Sequence, residues 1–291
     1  MATIPNTRNP VPLSVWPCAQ TTAQYQRAGR YVPESSEHPG KMLPELARRI
    51  VEEYSAPGDL VVDPMCGIGT TLVEGAALRR RCLGVELEER WATVAEANLD
   101  HVLGPDQRDL AEVRVGDARL LADVLADVAG SVDLVATSPP YGCDAGTIDK
   151  SAWLAGRRLC KGETLNYSTG RSNLGHARGS AYLAEMAAVY EASFGVLRPG
   201  GLLVTVTKNT RRGGRLFDLA GATVRLAHEV GFRYLQHVVA LLAAVREGGL
   251  VPRPSFWQLT QLRGAHARGW PVHLVAHEDV LVFAKPEVKR G

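Results

Sequence analysis

The stretch Asp63-Pro64-Met65-Cys66-Gly67-Ile68-Gly69-Thr70-Thr71 has the composition of a ligand-binding loop. It follows the apolar run 60–62, which predicts a short buried strand, and it precedes a predicted helix over 70–78. Because its two glycines lack a Cβ, the chain can turn tightly here and approach a ligand closely. Leu72 stands where a dinucleotide-binding loop has a third glycine, which disfavours a pyrophosphate ligand.

Two acidic residues at the ends of the next predicted strands are placed to bind a nucleoside. Glu86 ends the second strand about 20 residues beyond the loop, where a carboxylate can accept hydrogen bonds from both ribose hydroxyls. Asp117 ends the third strand at the same sheet edge and can accept from an adenine amino group. Taken alone, an Asp at this position would rather be read as a helix cap. After the glycine loop, the two carboxylates favour cofactor contact.

The tetrapeptide Ser138-Pro139-Pro140-Tyr141 follows a predicted strand over 132–136 and therefore lies at the carboxyl edge of the sheet. Its two prolines fix φ and stiffen the loop. The Ser138 hydroxyl and the Pro139 carbonyl can then accept both hydrogens of an exocyclic amine. Tyr141 can stack on the ring that carries the amine. The tetrapeptide thus predicts a site for a planar base.

Predicted strands and helices alternate along most of the chain, and these elements must hold the loops in position. Apolar runs near 60–62, 82–85, 113–115, 132–136, 202–207, 234–240 and 279–284 predict seven strands, with helices between most of them. This alternation predicts an α/β fold with a doubly wound, mostly parallel sheet. Residues 1–37 predict an irregular segment, and 38–291 predict one domain with irregular basic inserts at 142–180 and 246–272.

Composition excludes several classes of protein. Of the 291 residues 45% are apolar, which is ample for a sizeable core. No apolar run approaches the roughly 18 residues that span a bilayer, and 1–12 lack the apolar segment of a secretion signal. Five scattered cysteines without zinc-ligand spacing predict reduced thiols, no metal site and a cytoplasmic location. Because the net charge is only +2, a site for a polyanion would have to be a local patch of positive charge.

In these motifs and their order, the chain resembles the S-adenosylmethionine-dependent amino-methyltransferases of DNA over about residues 38–285. The resemblance implies a Rossmann-like class I methyltransferase fold with an antiparallel last strand. It implies that the glycine loop holds the methionine part of the cofactor, Glu86 the ribose and Asp117 the adenine. The segment 38–44 resembles the part of the family that closes over the methionine end, while Met65 replaces the usual aromatic residue. The cofactor contacts expected from this resemblance are His38, Lys41, Met42, Asp63, Met65, Cys66, Gly67, Gly69, Thr70, Thr71, Glu86, Leu87, Asp117, Ala118 and Ser138.

The resemblance further implies methyl transfer to the exocyclic amine of a flipped base, with S-adenosylhomocysteine as product and no metal. Ser138, Pro139, Pro140 and Tyr141 are the implied catalytic residues. Serine at the first position favours cytosine N4, and adenine N6 is the alternative. An amine of tRNA or rRNA is a second alternative, and a non-catalytic nucleic-acid binder is an interpretation of a different class. A base inside a duplex is out of reach, so flipping is expected.

The expected partner is double-stranded DNA, with RNA as the alternative, which implies a nucleoid-associated protein. Restriction partner, solitary regulator and mobile-element protection all fit this partner, and the oligomeric state stays open between monomer and dimer. No separate recognition domain is evident in the sequence, so contacts are expected from basic loops, where arginine beside aromatic residues suits phosphate contact and stacking. The expected contacts are Arg157, Arg158, Lys161, Arg171, Arg178, Lys208, Arg211, Arg212, Arg253 and Trp257.

Overall fold

The computed structural model describes residues 11–141, 174, 179–212, 215–254 and 256–287. Eight strands form one sheet in the order β1-β9-β12-β6-β5-β2-β3-β4, and β7-β8 and β10-β11 form two small sheets. The strands are β1 (Val15–Trp16), β2 (Leu60–Asp63), β3 (Arg81–Glu86), β4 (Ala111–Val115), β5 (Val132–Thr137), β6 (Leu197–Thr207), β7 (Thr210–Arg212), β8 (Arg215–Phe217), β9 (Arg233–Leu241), β10 (Ala243–Arg246), β11 (Gly249–Pro252) and β12 (His277–Ala284).

The large sheet is parallel apart from β12. Strand β2 pairs in parallel with both β3 and β5, whereas β12 pairs antiparallel with both β6 and β9. The predicted mostly parallel sheet with an antiparallel last strand is therefore confirmed. The chain leaves β2 toward β3 and β4 and then returns to β5 on the other side of β2. Such a reversal opens a crevice at the carboxyl ends of the strands, where ligands of α/β folds bind.

The helices cover both faces of this sheet. They are α1 (Ala23–Arg27), α2 (Pro44–Tyr54), α3 (Thr70–Ala77), α4 (Glu89–Val102), α5 (Pro105–Arg108), α6 (Leu121–Val124), α7 (Gly179–Val196), α8 (Leu219–Val230) and α9 (Phe256–His266), with 3₁₀ turns at Pro33–Glu37, Ala118–Leu120 and Ala126–Val128. Successive strand residues point to opposite faces, so Val61 belongs to the core under α2, α3 and α4, and Val62 to the core under α6, α7 and α8. No helix of the described residues is long and apolar enough to cross a membrane.

The sheet has eight strands rather than the predicted seven, because the N-terminal segment joins it. Val15 and Trp16 pair in parallel with Val239 and Ala240 of β9, and Trp16 is buried. The predicted irregular segment 1–37 is thus corrected, since its described part also contains α1 and a 3₁₀ turn. A two-residue strand is too short for any alternation of apolar residues to reveal it.

The C-terminal basic insert is corrected in the same way. Residues 246–272 were expected to be irregular, yet they contain β11 and α9. Strand β11 pairs antiparallel with β10, and Arg246 and Gly249 face each other at the turn of this hairpin. All four residues of β11 are exposed, so this strand has no buried face whose apolar alternation the sequence could show.

Asn98 of α4 links the N-terminal segment to the glycine loop. Its side chain is fully buried, and its Oδ1 accepts a hydrogen bond from the Val32 N–H at 2.8 Å. Its Nδ2 donates to the Ile68 carbonyl and to Ser35 Oγ, each at 2.9 Å. Because a buried polar group without a partner is costly, this amide fixes three parts of the chain against one another.

We expect Asn98→Ala to lower the free energy of unfolding by about 2–4 kcal/mol, because it leaves the Val32 N–H and the Ile68 carbonyl buried without partners. Urea unfolding followed by circular dichroism measures this change. His101→Ala, at the exposed end of the same helix, is the matched control and should change stability by less than about 0.5 kcal/mol. Equal losses in the two variants would contradict the linking role of Asn98.

Candidate active site

A cavity of about 540 Å³ opens at the carboxyl edge of the sheet. Its volume lies within the range of roughly 300–1,000 Å³ that is typical of small-molecule sites. Segments 38–42, 63–68, 86–88 and 138–141 all contribute to its wall, together with Asp117. The motifs found far apart in the sequence therefore meet in one space, as expected for loops that follow parallel strands.

The predicted cofactor residues line this cavity, with the exception of Gly69. Gly69 precedes α3 with a φ of +77°, so it supplies the turn into the helix instead. Gly67 has a φ of +55°, and a Cβ built there would lie 3.2 Å from His38 Nε2. The backbone thus passes directly beneath the imidazole, and this close approach explains why the position has no side chain.

Asp63 ties the two ends of the glycine loop together. Its Oδ2 accepts from Thr71 Oγ1 at 2.6 Å, and its Oδ1 accepts from the Met65 N–H at 3.2 Å. Burial raises the pKa of Asp63 to about 6, although these hydrogen bonds oppose the shift. Burial also raises the pKa of the neighbouring Cys66 thiol well above its ordinary value, so this thiol stays neutral.

Glu86 holds the loop from the neighbouring strand. Its Oε2 accepts from the Gly67 N–H at 2.8 Å, and its Oε1 accepts from the Glu88 N–H at 3.0 Å. Burial raises the pKa of Glu86 to about 7 in spite of these two hydrogen bonds. Each carboxylate oxygen has a second lone pair, so Glu86 can still accept from a ligand in the cavity.

The segment 38–42 forms one side of the cavity. The His38 ring packs edge-on against Trp91, with 4.7 Å between ring centroids, and His38 Nδ1 accepts from the Gly40 N–H at 3.3 Å. Lys41 Nζ donates to the Ser36 carbonyl at 3.1 Å and to the His38 carbonyl at 2.5 Å. The ammonium therefore stabilises the turn that carries His38.

Asp117 caps a 3₁₀ turn and also lines the cavity. It accepts from the Arg119 N–H at 2.9 Å. Both of its oxygens accept from the Arg119 guanidinium, which holds the pKa of Asp117 below its ordinary value. Arg119 in turn pairs with Glu185 of α7. No motif in the sequence indicated that Arg119 would be the partner of Asp117.

Two charged residues complete the cavity near the tetrapeptide. Glu278 of β12 accepts from the Tyr141 hydroxyl at 3.2 Å, and Lys208 follows the end of β6. Burial lowers the pKa of Lys208, whereas Glu278 and Asp279 oppose this shift. Sequence reasoning assigned Glu278 to the final strand and missed its place in the site. Lys208, expected to contact phosphate, lines the cavity.

The remaining predicted nucleic-acid contacts are placed only in part. Arg253 also lines the cavity, and its guanidinium donates to the carbonyls of Ala19 and Gln20 at 2.9 and 3.2 Å. Arg211 is half-buried after β6. Arg157, Arg158, Lys161, Arg171, Arg178 and the side chains of Arg212 and Trp257 lie outside the described part of the chain. Among the described residues, no cluster of His, Cys, Asp or Glu is arranged to hold a metal ion.

Comparison with known proteins shows similarity to a family over about a third of the chain. Residues 3–97 match a family described as DNA methylase. Over 107 residues the chain is 35% identical to a tRNA (guanine(10)-N2)-dimethyltransferase of Methanocaldococcus jannaschii, a match that covers 36% of this chain and 30% of that protein. Over 110 residues it is 28% identical to the DNA adenine methyltransferase YhdJ of Escherichia coli, covering 38% of this chain and 35% of that protein. The matches thus span about a third of each relative.

A solved structure supports the fold over a longer range. An S-adenosylmethionine-dependent O-methyltransferase of Thermotoga maritima superposes with a TM-score of 0.50 at 16% identity, covering 89% of this chain and 71% of that one. At this identity the likeness concerns the fold alone. The chain therefore has the Rossmann-like fold of S-adenosylmethionine-dependent methyltransferases, as its sequence predicted.

The raised pKa of Glu86 predicts how the free energy of unfolding changes with pH. Its pKa rises from an ordinary 4.5 to about 7 in the folded state, so the folded protein binds more protons than the unfolded chain between these values. The contribution of Glu86 to the free energy of unfolding is fully present below pH 4.5 and is lost as the pH rises through 7. The loss is up to about 3 kcal/mol.

We expect Glu86→Gln to flatten the fall of unfolding free energy between pH 4.5 and 7, as measured by urea unfolding at several pH values. Part of the fall will persist, because the pKa of Asp63 is raised in the same direction. Glu52→Gln, an exposed acid on α2 that pairs with Arg48, is the control and should keep the wild-type slope. An unchanged slope in Glu86→Gln would show that Glu86 is not the titrating group.

Proposed function

We propose that this chain transfers a methyl group from S-adenosylmethionine to the exocyclic amine of a nucleic-acid base, with cytosine N4 of DNA as the first candidate. The observation that carries the proposal is the single cavity that contains both Glu86 beside the glycine loop and Ser138 in the tetrapeptide. A nucleoside cofactor and a planar amine can therefore lie next to each other. The similarity to amino-methyltransferases of DNA and tRNA supports the same reaction.

The residues of the cavity fit the cofactor. Glu86 retains acceptor capacity for ribose hydroxyls, and Asp117, which lines the same cavity, is the proposed acceptor for an adenine amine. Gly67 leaves space beneath His38 that a Cβ would enter. When bound, S-adenosylmethionine supplies an electrophilic methyl group on a sulfonium. His38 and Met65 are the wall residues proposed to lie against the methionine end of this cofactor.

Ser138 and Pro139 are proposed to position the base. The Ser138 hydroxyl and the Pro139 carbonyl accept the two hydrogens of the amine, which directs its lone pair toward the methyl group. Tyr141, in the same wall of the cavity, stacks on the ring. Most of the rate enhancement then comes from holding the two reactants in line, since a direct displacement needs no covalent intermediate.

A second candidate substrate is the N2 amine of guanine in RNA. It is favoured by the similarity to the tRNA (guanine(10)-N2)-dimethyltransferase, whose matched segment is more similar to this chain than that of YhdJ. Adenine N6, the base implied by the name of YhdJ, is a third. All three amines are planar and carry two hydrogens, so the acceptors at Ser138 and Pro139 suit each of them.

The first test is a digest. The protein is incubated with S-adenosylmethionine and either mixed genomic DNA or total RNA, and the nucleosides are separated and weighed by mass spectrometry. We expect N4-methylcytosine from DNA. N6-methyladenine or N2-methylguanosine would keep the reaction and correct the base. No methylated nucleoside from either polymer, with the cofactor bound, would overturn the proposed function.

Ser138→Ala removes one of the two proposed acceptors without touching the glycine loop. We expect its turnover to fall by about 10²–10³-fold, the usual effect of removing one preorganised hydrogen-bonding partner in an active site. Its affinity for S-adenosylmethionine, measured by calorimetry, should stay within about twofold of wild type. Glu86→Ala is the reciprocal variant and should lose cofactor affinity. Full turnover in Ser138→Ala would remove Ser138 from the mechanism.

A further inference from the structure

The β7-β8 hairpin leaves the large sheet beside the cavity. Strand β6 pairs in parallel with β5, the strand that leads into the tetrapeptide, and Thr205 is the partner of Thr137 in this register. Lys208, the first residue after β6, lines the cavity, and β7 begins two residues later. Three peptide bonds allow at most about 11 Å between the Cα atoms of Lys208 and Arg211. The hairpin therefore lies at the rim of the cavity on the side of the tetrapeptide.

The two faces of this hairpin have different surroundings. Phe217 packs against the core under α6, α7 and α8. Its neighbour Leu216, which pairs with Arg211, therefore lies with Arg211 on the opposite face, and Leu216 is 50% exposed. At the base of the hairpin, Asn209 Oδ1 accepts from the Ala220 N–H in the first turn of α8 at 3.0 Å. The hairpin is thus fixed to the fold on one face and presents an arginine and a leucine on the other.

Arg211 carries a donor atom that no acceptor of the described residues satisfies. Its Nε is buried and makes no hydrogen bond in the described part of the chain. By contrast, the partly buried arginines Arg108, Arg114 and Arg119 each pair with two carboxylates. Because a buried polar donor without an acceptor is costly, we expect the acceptor for Arg211 to come from outside the chain.

The charges along the hairpin favour an anion as this acceptor. Residues 208–217 include Lys208, Arg211, Arg212 and Arg215 and no acidic residue. They therefore form a local concentration of positive charge in a chain whose net charge is only +2. A guanidinium binds phosphate through charge-assisted hydrogen bonds that are often bidentate. A base inside the cavity stays attached to its backbone, so the phosphates beside that base must lie at the rim.

We propose that the β7-β8 hairpin binds the backbone of duplex DNA beside the target nucleotide, with Arg211 donating to a phosphate and Leu216 packing against the adjoining sugar. This inference rests on the proposed function, which places the base in the cavity. Phosphates are the same in every sequence, so the contact positions the nucleic acid without selecting a sequence.

The salt dependence of binding tests the role of Arg211. Fluorescence anisotropy of a labelled DNA duplex gives the binding constant at several salt concentrations. We expect Arg211→Gln to reduce the slope of log K against log salt concentration by about 0.9, the contribution of one phosphate contact. Arg211→Lys keeps the charge and should keep the wild-type slope. A slope in Arg211→Gln equal to that of the wild type would overturn the proposal.

Two further variants complete this experiment. Arg233→Gln changes an exposed arginine at the opposite edge of the sheet, where β9 begins, and should leave the slope unchanged. Leu216→Ala removes apolar contact and no charge, so it should weaken binding about threefold at every salt concentration. A changed slope in Leu216→Ala, or wild-type affinity in that variant, would contradict the assigned contact with the sugar.

The outcome for this hairpin can be separated from the outcome for the proposed function. All variants should keep the wild-type affinity for S-adenosylmethionine, measured by calorimetry, since none of the substituted side chains is proposed to hold the cofactor. A protein that binds duplex DNA with an Arg211-dependent slope but methylates no nucleoside would overturn the proposed function alone. An Arg211-dependent slope with an RNA probe only would overturn the assignment to DNA, and a wild-type protein that binds neither polymer would overturn both proposals.

Discussion

The site depends on a buried carboxylate that backbone N–H groups hold in place. Glu86 accepts from Gly67 and from Glu88, and its own position is set by β3, whose residue Gly84 pairs with Asp63 of β2. The glycine loop leaves β2 directly after Asp63, so a one-residue change in the register of β2 and β3 would separate the loop from its anchor. The geometry of the cavity beside the glycine loop is thus a consequence of strand pairing.

The end of the cavity that contains the tetrapeptide 138–141 is held by a different kind of interaction. Tyr141 is joined by a side-chain hydrogen bond to Glu278, which lies 137 residues further along the chain. Antiparallel β12 makes this contact possible, because it begins at the sheet edge where the parallel strands end. Within the large sheet of the described residues, β12 is the one antiparallel strand. Its first residues, Glu278 among them, therefore lie at the sheet edge where the parallel strands end.

The sequence predicted those residues of the site that belong to recognisable local motifs. Gly67 and Glu86 were identified because a glycine loop and a carboxylate at a strand end each have a recognisable spacing. Glu278 was not identified, because only tertiary packing brings it to Tyr141. Arg119 was not identified, because the turn that brings it to Asp117 has no sequence motif. The eighth strand was missed for the related reason that two residues, Val15–Trp16, show no periodicity.

The N-terminal segment belongs to the site rather than to a separate appendage. Arg30 forms an ion pair with Glu74 of α3 at 2.8 Å, and Arg253 donates to the carbonyls of Ala19 and Gln20. Ala23 lies in the wall of the cavity. Glu74 is almost fully buried, so its charge requires the arginine that this segment supplies. Arg253, one of the predicted nucleic-acid contacts, therefore also holds this segment against the cavity that the segment helps to enclose.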